Sequence, residues 1–96
     1  MRTKVKDIIG IMSLILDVAN QDNSTKYRSL YNIIMHKVVL GHPGLRDFVT
    51  ILITHGLLSY DDVTQIYRTT EEGLQLLNKY YQIINVINGG GSLRQE

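Results

Sequence analysis

Residues 56–77 read GLLSYDDVTQIYRTTEEGLQLL, and the hydrophobic period changes twice within them. Leu57-Leu58-Ser59-Tyr60 and Gln65-Ile66-Tyr67-Arg68 have the composition of two short strands. The four residues between them, Asp61-Asp62-Val63-Thr64, make a hairpin loop. Gly56, ahead of the hairpin, is placed to end a helix in the left-handed conformation. Behind it, Thr70 reads as a helix N-cap, with Glu71 and Glu72 in the first turn. There the carboxylates complement the positive end of the helix dipole, each by roughly 0.3–1 kcal/mol when exposed. Gly73 removes a side chain where the new helix would come close to a neighbour. The stretch therefore predicts the end of one helix, a hairpin, and the start of another.

Working toward the N-terminus, the helix that ends at Gly56 is expected to start at Pro43, whose missing N–H is harmless in a first turn. Leu45, Phe48, Val49 and Leu52 recur at i, i+3, i+4 and i+7 and form its inward face. Before the break at Gly41-His42, a helix is predicted from Thr25 to Lys37, capped by Ser24 or Thr25, with Tyr27, Leu30, Tyr31, Ile34 and Val38 apolar. A first helix is predicted from Asp7 to Asn20. Ile8, Ile11, Met12, Ile15, Val18 and Ala19 keep helical spacing, and Ile9, Leu14 and Leu16 add apolar surface on other faces. A helix apolar on so many sides is central or shared with a partner. Toward the C-terminus, the last helix is expected to run from Thr70 to about Ile87. The remaining 89–96, beginning GGGS, reads as a flexible tail after a domain of 1–88.

The 96 residues make one domain, and 44% hydrophobic with 20% charged is an ordinary globular composition. With no cysteine, disulfides and thiolate metal sites are excluded. The N-terminal MRTKVKD is basic, but no small-residue cleavage site follows, so no secretory leader is expected. The apolar stretch Ile8–Ala19 is interrupted by Gly10, Ser13 and Asp17 and falls short of the ~20 residues a bilayer span needs. Cytoplasmic, nucleoid-associated placement is the expectation. The net charge of +1 conceals an asymmetry. Residues 1–46 hold seven Lys/Arg against three Asp/Glu, a net of +4, and residues 47–96 hold three against six, a net of −3. Such a split suggests one side facing a polyanion.

The order helix, helix, helix, strand, strand, helix predicts a mostly α domain with a small hairpin, the winged helix-turn-helix arrangement. The stretches IIMHKVVLGHPGLRDFVTILITHGLL and YRTTEEGLQLLNKYYQI resemble archaeal winged-helix DNA-binding proteins of the Sso ten-a and ArnR-like type. Leu40, Leu45, Phe48, Gly56-Leu57-Leu58 and Tyr67-x-x-Thr70-x-x-Gly73 carry the resemblance, which spans about Lys4 to Ile84. It implies duplex DNA as ligand, transcription regulation as role, and pairing of two copies through the last helix.

Geometry then selects candidate residues. In a helix-turn-helix the second helix of the pair enters the major groove. With its apolar face turned in, that helix presents His42, Gly44, Arg46, Asp47, Thr50 and Thr54 outward. Arg46 has the donor fork for a guanine edge, and Thr50 suits a thymine methyl or a phosphate. Lys26, Arg28 and Lys37 are candidates for phosphate, with Tyr27 or Tyr31 nearby and Lys4 and Lys6 adding charge. On the hairpin Arg68, Gln65 and Tyr60 suit DNA, whereas Asp61 and Asp62 at the tip repel it. On the last helix, Leu74, Leu77, Tyr81 and Ile84 form one apolar stripe, expected to pack internally. Leu76, Tyr80, Ile83 and Ile87 form another. The second stripe, together with Ile84, is the expected dimer interface. No phosphate-binding loop, metal-ligand spacing or nucleophile motif is present, so neither enzyme activity nor a cofactor, metal or small-molecule ligand is expected. The alternative from a different class is a winged-helix protein-docking module with little or no DNA binding, which the acidic hairpin tip and near-neutral charge would suit.

Overall fold

The computed structural model describes residues 8–22, 24–38 and 44–94, with side chains as far as 87. Its elements are α1 (Ile8–Gln21), α2 (Tyr27–Lys37), α3 (Leu45–Thr54), β1 (Leu58–Asp61), β2 (Ile66–Thr69) and α4 (Glu71–Arg94). The described residues are thus mostly helical, with one two-stranded antiparallel sheet, in the order read from the sequence. Asp7, Gly41, His42 and Pro43, which the sequence places at helix starts and breaks, lie outside the described residues, as do Lys4 and Lys6.

Helix α1 is the centre of the molecule and packs against α2, α3, α4 and β2. Its burial follows from an apolar sequence on more than one face: Ile11, Ile15, Leu16, Val18 and Ala19 are all in the core. Leu16, expected off the main face, is fully buried, while Ile8 on that face is exposed. The other elements contribute Leu30, Ile34, Val38, Leu45, Phe48, Val49, Leu52, Leu58, Tyr67 and Leu77. The inward set of α3 is therefore the one its spacing predicts.

Helix α2 begins two residues later than expected, and neither Ser24 nor Thr25 caps it. Lys26 stands at the N-cap and makes no side-chain capping bond. The short polar side chains serve the preceding turn instead. Asp22 Oδ1 accepts from both the backbone N–H and the hydroxyl of Ser24, each at 2.9 Å, and the Thr25 hydroxyl donates to the Asp22 carbonyl at 2.9 Å. Local bonding of this kind competes with capping. These bonds hold the Asp22 carboxyl below the usual carboxylate range, the backbone bond from Ser24 most of all. The Thr25 carbonyl then accepts the Tyr67 N–H at 2.8 Å, which ties the hairpin to the start of α2.

Helix α3 starts with Gly44 at its N-cap. The Gly44 N–H donates to Asp47 Oδ2 at 3.2 Å, so this acid on the outward face bonds its own helix start. At the other end Gly56 has φ +75°, its N–H bonds the Ile53 carbonyl at 3.0 Å, and the Leu57 N–H bonds the Leu52 carbonyl at 2.9 Å. That pair of bonds is a Schellman ending.

The strands pair Leu58 with Thr69, Ser59 with Arg68, Tyr60 with Tyr67 and Asp61 with Ile66. Both sit one residue later than the sequence suggested, because the turn is Asp62–Gln65 rather than Asp61–Thr64 and closes with Gln65 at φ 63°. Alternation places Leu58, Tyr60, Tyr67 and Thr69 on the inner face of the hairpin. The Thr69 hydroxyl confirms the direction by donating to the Leu16 carbonyl of α1 at 2.6 Å.

The junction into α4 is built on Thr70. Its hydroxyl oxygen accepts the Gly73 N–H at 3.0 Å and donates to the Gly56 carbonyl at 2.6 Å. The Thr70 N–H reaches the Leu57 carbonyl at 3.1 Å. The end of α3 and the start of α4 are thereby laced together. Gly73 is buried against that lacing: a Cβ there would overlap the Leu57 carbonyl oxygen. Helix α4 then continues past its expected end near Ile87 to Arg94, through Gly89–Gly91, where a tail was expected. Each glycine disfavours a helix by about 1 kcal/mol, yet none blocks it, and extending an existing helix needs only the next backbone bond.

Candidate nucleic-acid interface

Three elements converge on one open cleft of about 500 Å³. The start of α2 supplies Lys26, Tyr27, Arg28 and Ser29, α3 supplies Arg46, and the hairpin supplies Tyr60, Gln65 and Tyr67. The lining holds three cations, three phenols, a hydroxyl and an amide, and no carboxylate. The Tyr67–Thr25 backbone bond is what brings the hairpin wall against the α2 wall.

The aromatic floor is continuous. Tyr60 and Tyr67 are cross-strand partners with ring centroids 4.7 Å apart, and Tyr67 lies 6.4 Å from Tyr27, which lies 6.3 Å from Tyr31. The Arg46 guanidinium rests over the Tyr27 ring at 4.4 Å from its centroid. A cation on an aromatic face gains roughly 0.5–1 kcal/mol when exposed and loses rotamer freedom in advance. Arg46 is thus turned toward α2 and the hairpin. Burial raises the Tyr67 phenol above its ordinary pKa, with Tyr60 adding to the effect and Arg46 opposing it. Tyr67 therefore stays a neutral hydroxyl. A second shallow hollow of about 360 Å³, lined by Tyr27, Arg28, Tyr31 and Asn32, extends the surface along α2.

Of the residues singled out in the sequence, Lys26, Tyr27, Arg28, Arg46, Gln65 and Tyr60 meet in the cleft. Thr50 lies one turn beyond Arg46 on α3, exposed, with its hydroxyl donating to the Arg46 carbonyl at 2.9 Å. Lys37 is exposed at the far end of α2, roughly 16 Å from Lys26 at ~1.5 Å per residue, and does not line the cleft. Arg68 pairs with Ser59 on the outer face of the hairpin and does not line the cleft. On the same face the Asp61 carboxyl is lowered chiefly by the Val63 N–H, which donates to Asp61 Oδ1 at 2.9 Å, and least by the Arg68 charge. His42 lies outside the described residues.

Ser29 and Tyr67 also line the cleft, although the sequence had marked neither for it. The signal for Tyr67 was available in part: period-two alternation puts it on the same face as Tyr60 with either placement of the turn. Ser29 had none.

A surface formed by α1 and α4 is apolar. On α4, Leu77 is buried and Leu74 and Ile84 are half-buried, while Tyr81 is 42% exposed, its phenol raised by partial burial first and then by Asp17 of α1. This first stripe packs on α1. On the second stripe Leu76 is exposed, Ile83 is 57% exposed and Ile87 67% exposed, with Tyr80 half-buried. Ile84 thus belongs with the inward stripe more than with the outward one. Leu76, Tyr80 and Ile83, with Lys79, border an almost wholly apolar groove of about 390 Å³ whose other wall is Ile9, Met12 and Ser13 of α1.

Among the described residues no cluster of three His, Cys, Asp or Glu could hold a metal ion, and no helix is long and apolar enough to cross a membrane. Compared with protein-family models, curated proteins and solved structures, the chain matches none.

Proposed function

We propose that this chain is a winged helix-turn-helix protein of the Sso ten-a or ArnR-like type, which binds duplex DNA as a homodimer and regulates transcription. The observation that carries this reading is the cleft: three cations from two helices gather with three phenols and no carboxylate on one open face. A polyanion is the ligand such a face favours, since each phosphate neutralised releases counterions. Helix α3 borders the cleft and would enter the major groove, with the hairpin as the wing on one flank. Lys26 and Arg28 at the start of α2 would hold the backbone. The outward stripe of α4, Leu76, Ile83 and Ile87, is a surface that two copies would cover by two-fold pairing.

Fluorescence anisotropy on a short duplex at several salt concentrations tests the DNA reading. Lys26→Ala, Arg28→Ala and Arg46→Ala should each weaken binding and flatten the slope of log affinity against log salt by about one unit. Lys37→Ala, remote from the cleft, should matter less. Asp61→Ala and Asp62→Ala should leave affinity unchanged or raise it. The docking-module reading is favoured by the tip of the hairpin, where Val63 is exposed beside Asp61 and Asp62. It prevails if the cationic substitutions change nothing while the tip residues prove necessary for holding a protein.

A further inference from the structure

Three polar side chains on the outward face of α3 are already engaged within the protein. The Arg46 guanidinium rests on Tyr27, Asp47 Oδ2 accepts the Gly44 N–H, and the Thr50 hydroxyl donates to the Arg46 carbonyl. Pinning the Thr50 hydroxyl to the backbone fixes its χ1 and leaves the γ-methyl as the group it presents. Ile53 lies three residues on and Thr54 four residues on, so both share the face with Thr50. Ile53 is 37% exposed and Thr54 is exposed. The helix that borders a cationic cleft at its first turn therefore shows a strip of methyl groups beyond it.

We infer that α3 discriminates duplexes through thymine 5-methyl groups, with Thr50 and Ile53 as the specificity-determining residues and Arg46 as a backbone clamp rather than a guanine reader. The inference rests on the duplex-DNA reading above. In the major groove the thymine methyl is the apolar feature a base pair presents, and threonine methyls and aliphatic side chains are what meets it. Cytosine in the same place would bring an amino donor against methyls that cannot accept it, and that polar group would be buried unpaired. The cleft supplies the charge complementarity that brings DNA to this face. The ligand class is accordingly an A·T-containing duplex.

The test uses the full chain and two duplexes of one A·T-rich sequence, one with thymine and one with uracil at every such position. The two differ only in the 5-methyl group. Binding is followed by anisotropy at fixed salt. Each thymine methyl removed from the interface should weaken binding about fourfold, which is the ~0.8 kcal/mol of one buried methyl group expressed as an affinity ratio. Thr50→Ser keeps the hydroxyl and removes the methyl, so it should shrink the thymine-to-uracil ratio, as should Ile53→Ala. Lys26→Ala should weaken both duplexes and leave the ratio alone. Equal affinity of the wild-type chain for both duplexes overturns the inference while leaving the DNA reading intact. A ratio undiminished in both α3 variants removes the assignment to α3. Absence of binding to either duplex is a different result, and it defeats the DNA reading itself.

Discussion

Replacing Thr70 by alanine should destabilise the domain by about 1.5–2 kcal/mol, more than an ordinary N-cap loss. The cap bond is the first part: the Gly73 N–H loses its acceptor at 3.0 Å. Such losses cost about 0.5–2 kcal/mol, typically ~1. The second part is the bond from the same hydroxyl to the Gly56 carbonyl at 2.6 Å, for which a net of roughly 0.5–1.5 kcal/mol is usual. Gly56 is exposed, so water can take over its carbonyl, and the lower half of that range applies. In a domain of this size the total lowers Tm by on the order of 10 °C. Urea melts followed by circular dichroism measure it, at one protein concentration because a dimer's stability depends on concentration. Thr70→Ser retains both bonds and should stay within about 0.5 kcal/mol of wild type, the ordinary range for a mild substitution. Should Thr70→Ala melt with the wild type, or Thr70→Ser fall as far as alanine, the hydroxyl is not what holds the junction.

Gly73→Ala should destabilise by about 1–3 kcal/mol, the range for forced overpacking, although glycine to alanine inside a helix ordinarily stabilises by roughly 0.5–1 kcal/mol. The sign reverses because a Cβ would overlap the Leu57 carbonyl, and thermal melts read it directly. If the wild type pairs through α4 as proposed, Ile83→Glu combined with Ile87→Glu should turn its dimers into monomers by light scattering. A wild type monomeric at tens of micromolar would end the pairing proposal.

Periodicity made α1, α3 and α4 legible because each buries a stripe whose spacing is the helix's own. Boundaries were harder where two local solutions compete for the same side chains. Ser24 and Thr25 are good caps by type, yet Asp22 draws both into the turn before α2. The strand register slipped by one for a similar reason. Gln65 adopts a left-handed conformation that few non-glycine residues take, and its type gave no warning of it. Glycines 89–91 read as a break, but propensity only weakens a helix. For the cleft, the basic residues could be named from sequence and their grouping could not. Arg46 of α3 meets Lys26 and Arg28 across Tyr27, on whose ring it rests, and the Tyr67–Thr25 bond sets the hairpin beside them, both contacts between residues well apart in the chain. Tyr27 could likewise be named beside the phosphate candidates from sequence, but not as the ring on which Arg46 rests.

The acid-rich junction between β2 and α4 does not line the cleft, and its contribution to the proposed function is geometric. Gly56, Leu57, Thr70 and Gly73 bind the end of α3 to the first turn of α4 through one hydroxyl and four backbone groups. No hinge separates these two helices, because the glycine permits backbone contact and the threonine fastens it. In a dimer paired through α4, the direction and separation of the two α3 helices would then be set by this junction. Two α3 helices reading one duplex must lie about one helical turn apart, ~10–10.5 base pairs, or a multiple of it. A loosened junction would let each copy bind a half-site while spoiling the spacing between them. Thr70→Ala should accordingly weaken binding to a two-site duplex more than to a single half-site, even at temperatures where the variant is fully folded. Equal loss on both duplexes would mean that the lacing serves stability alone.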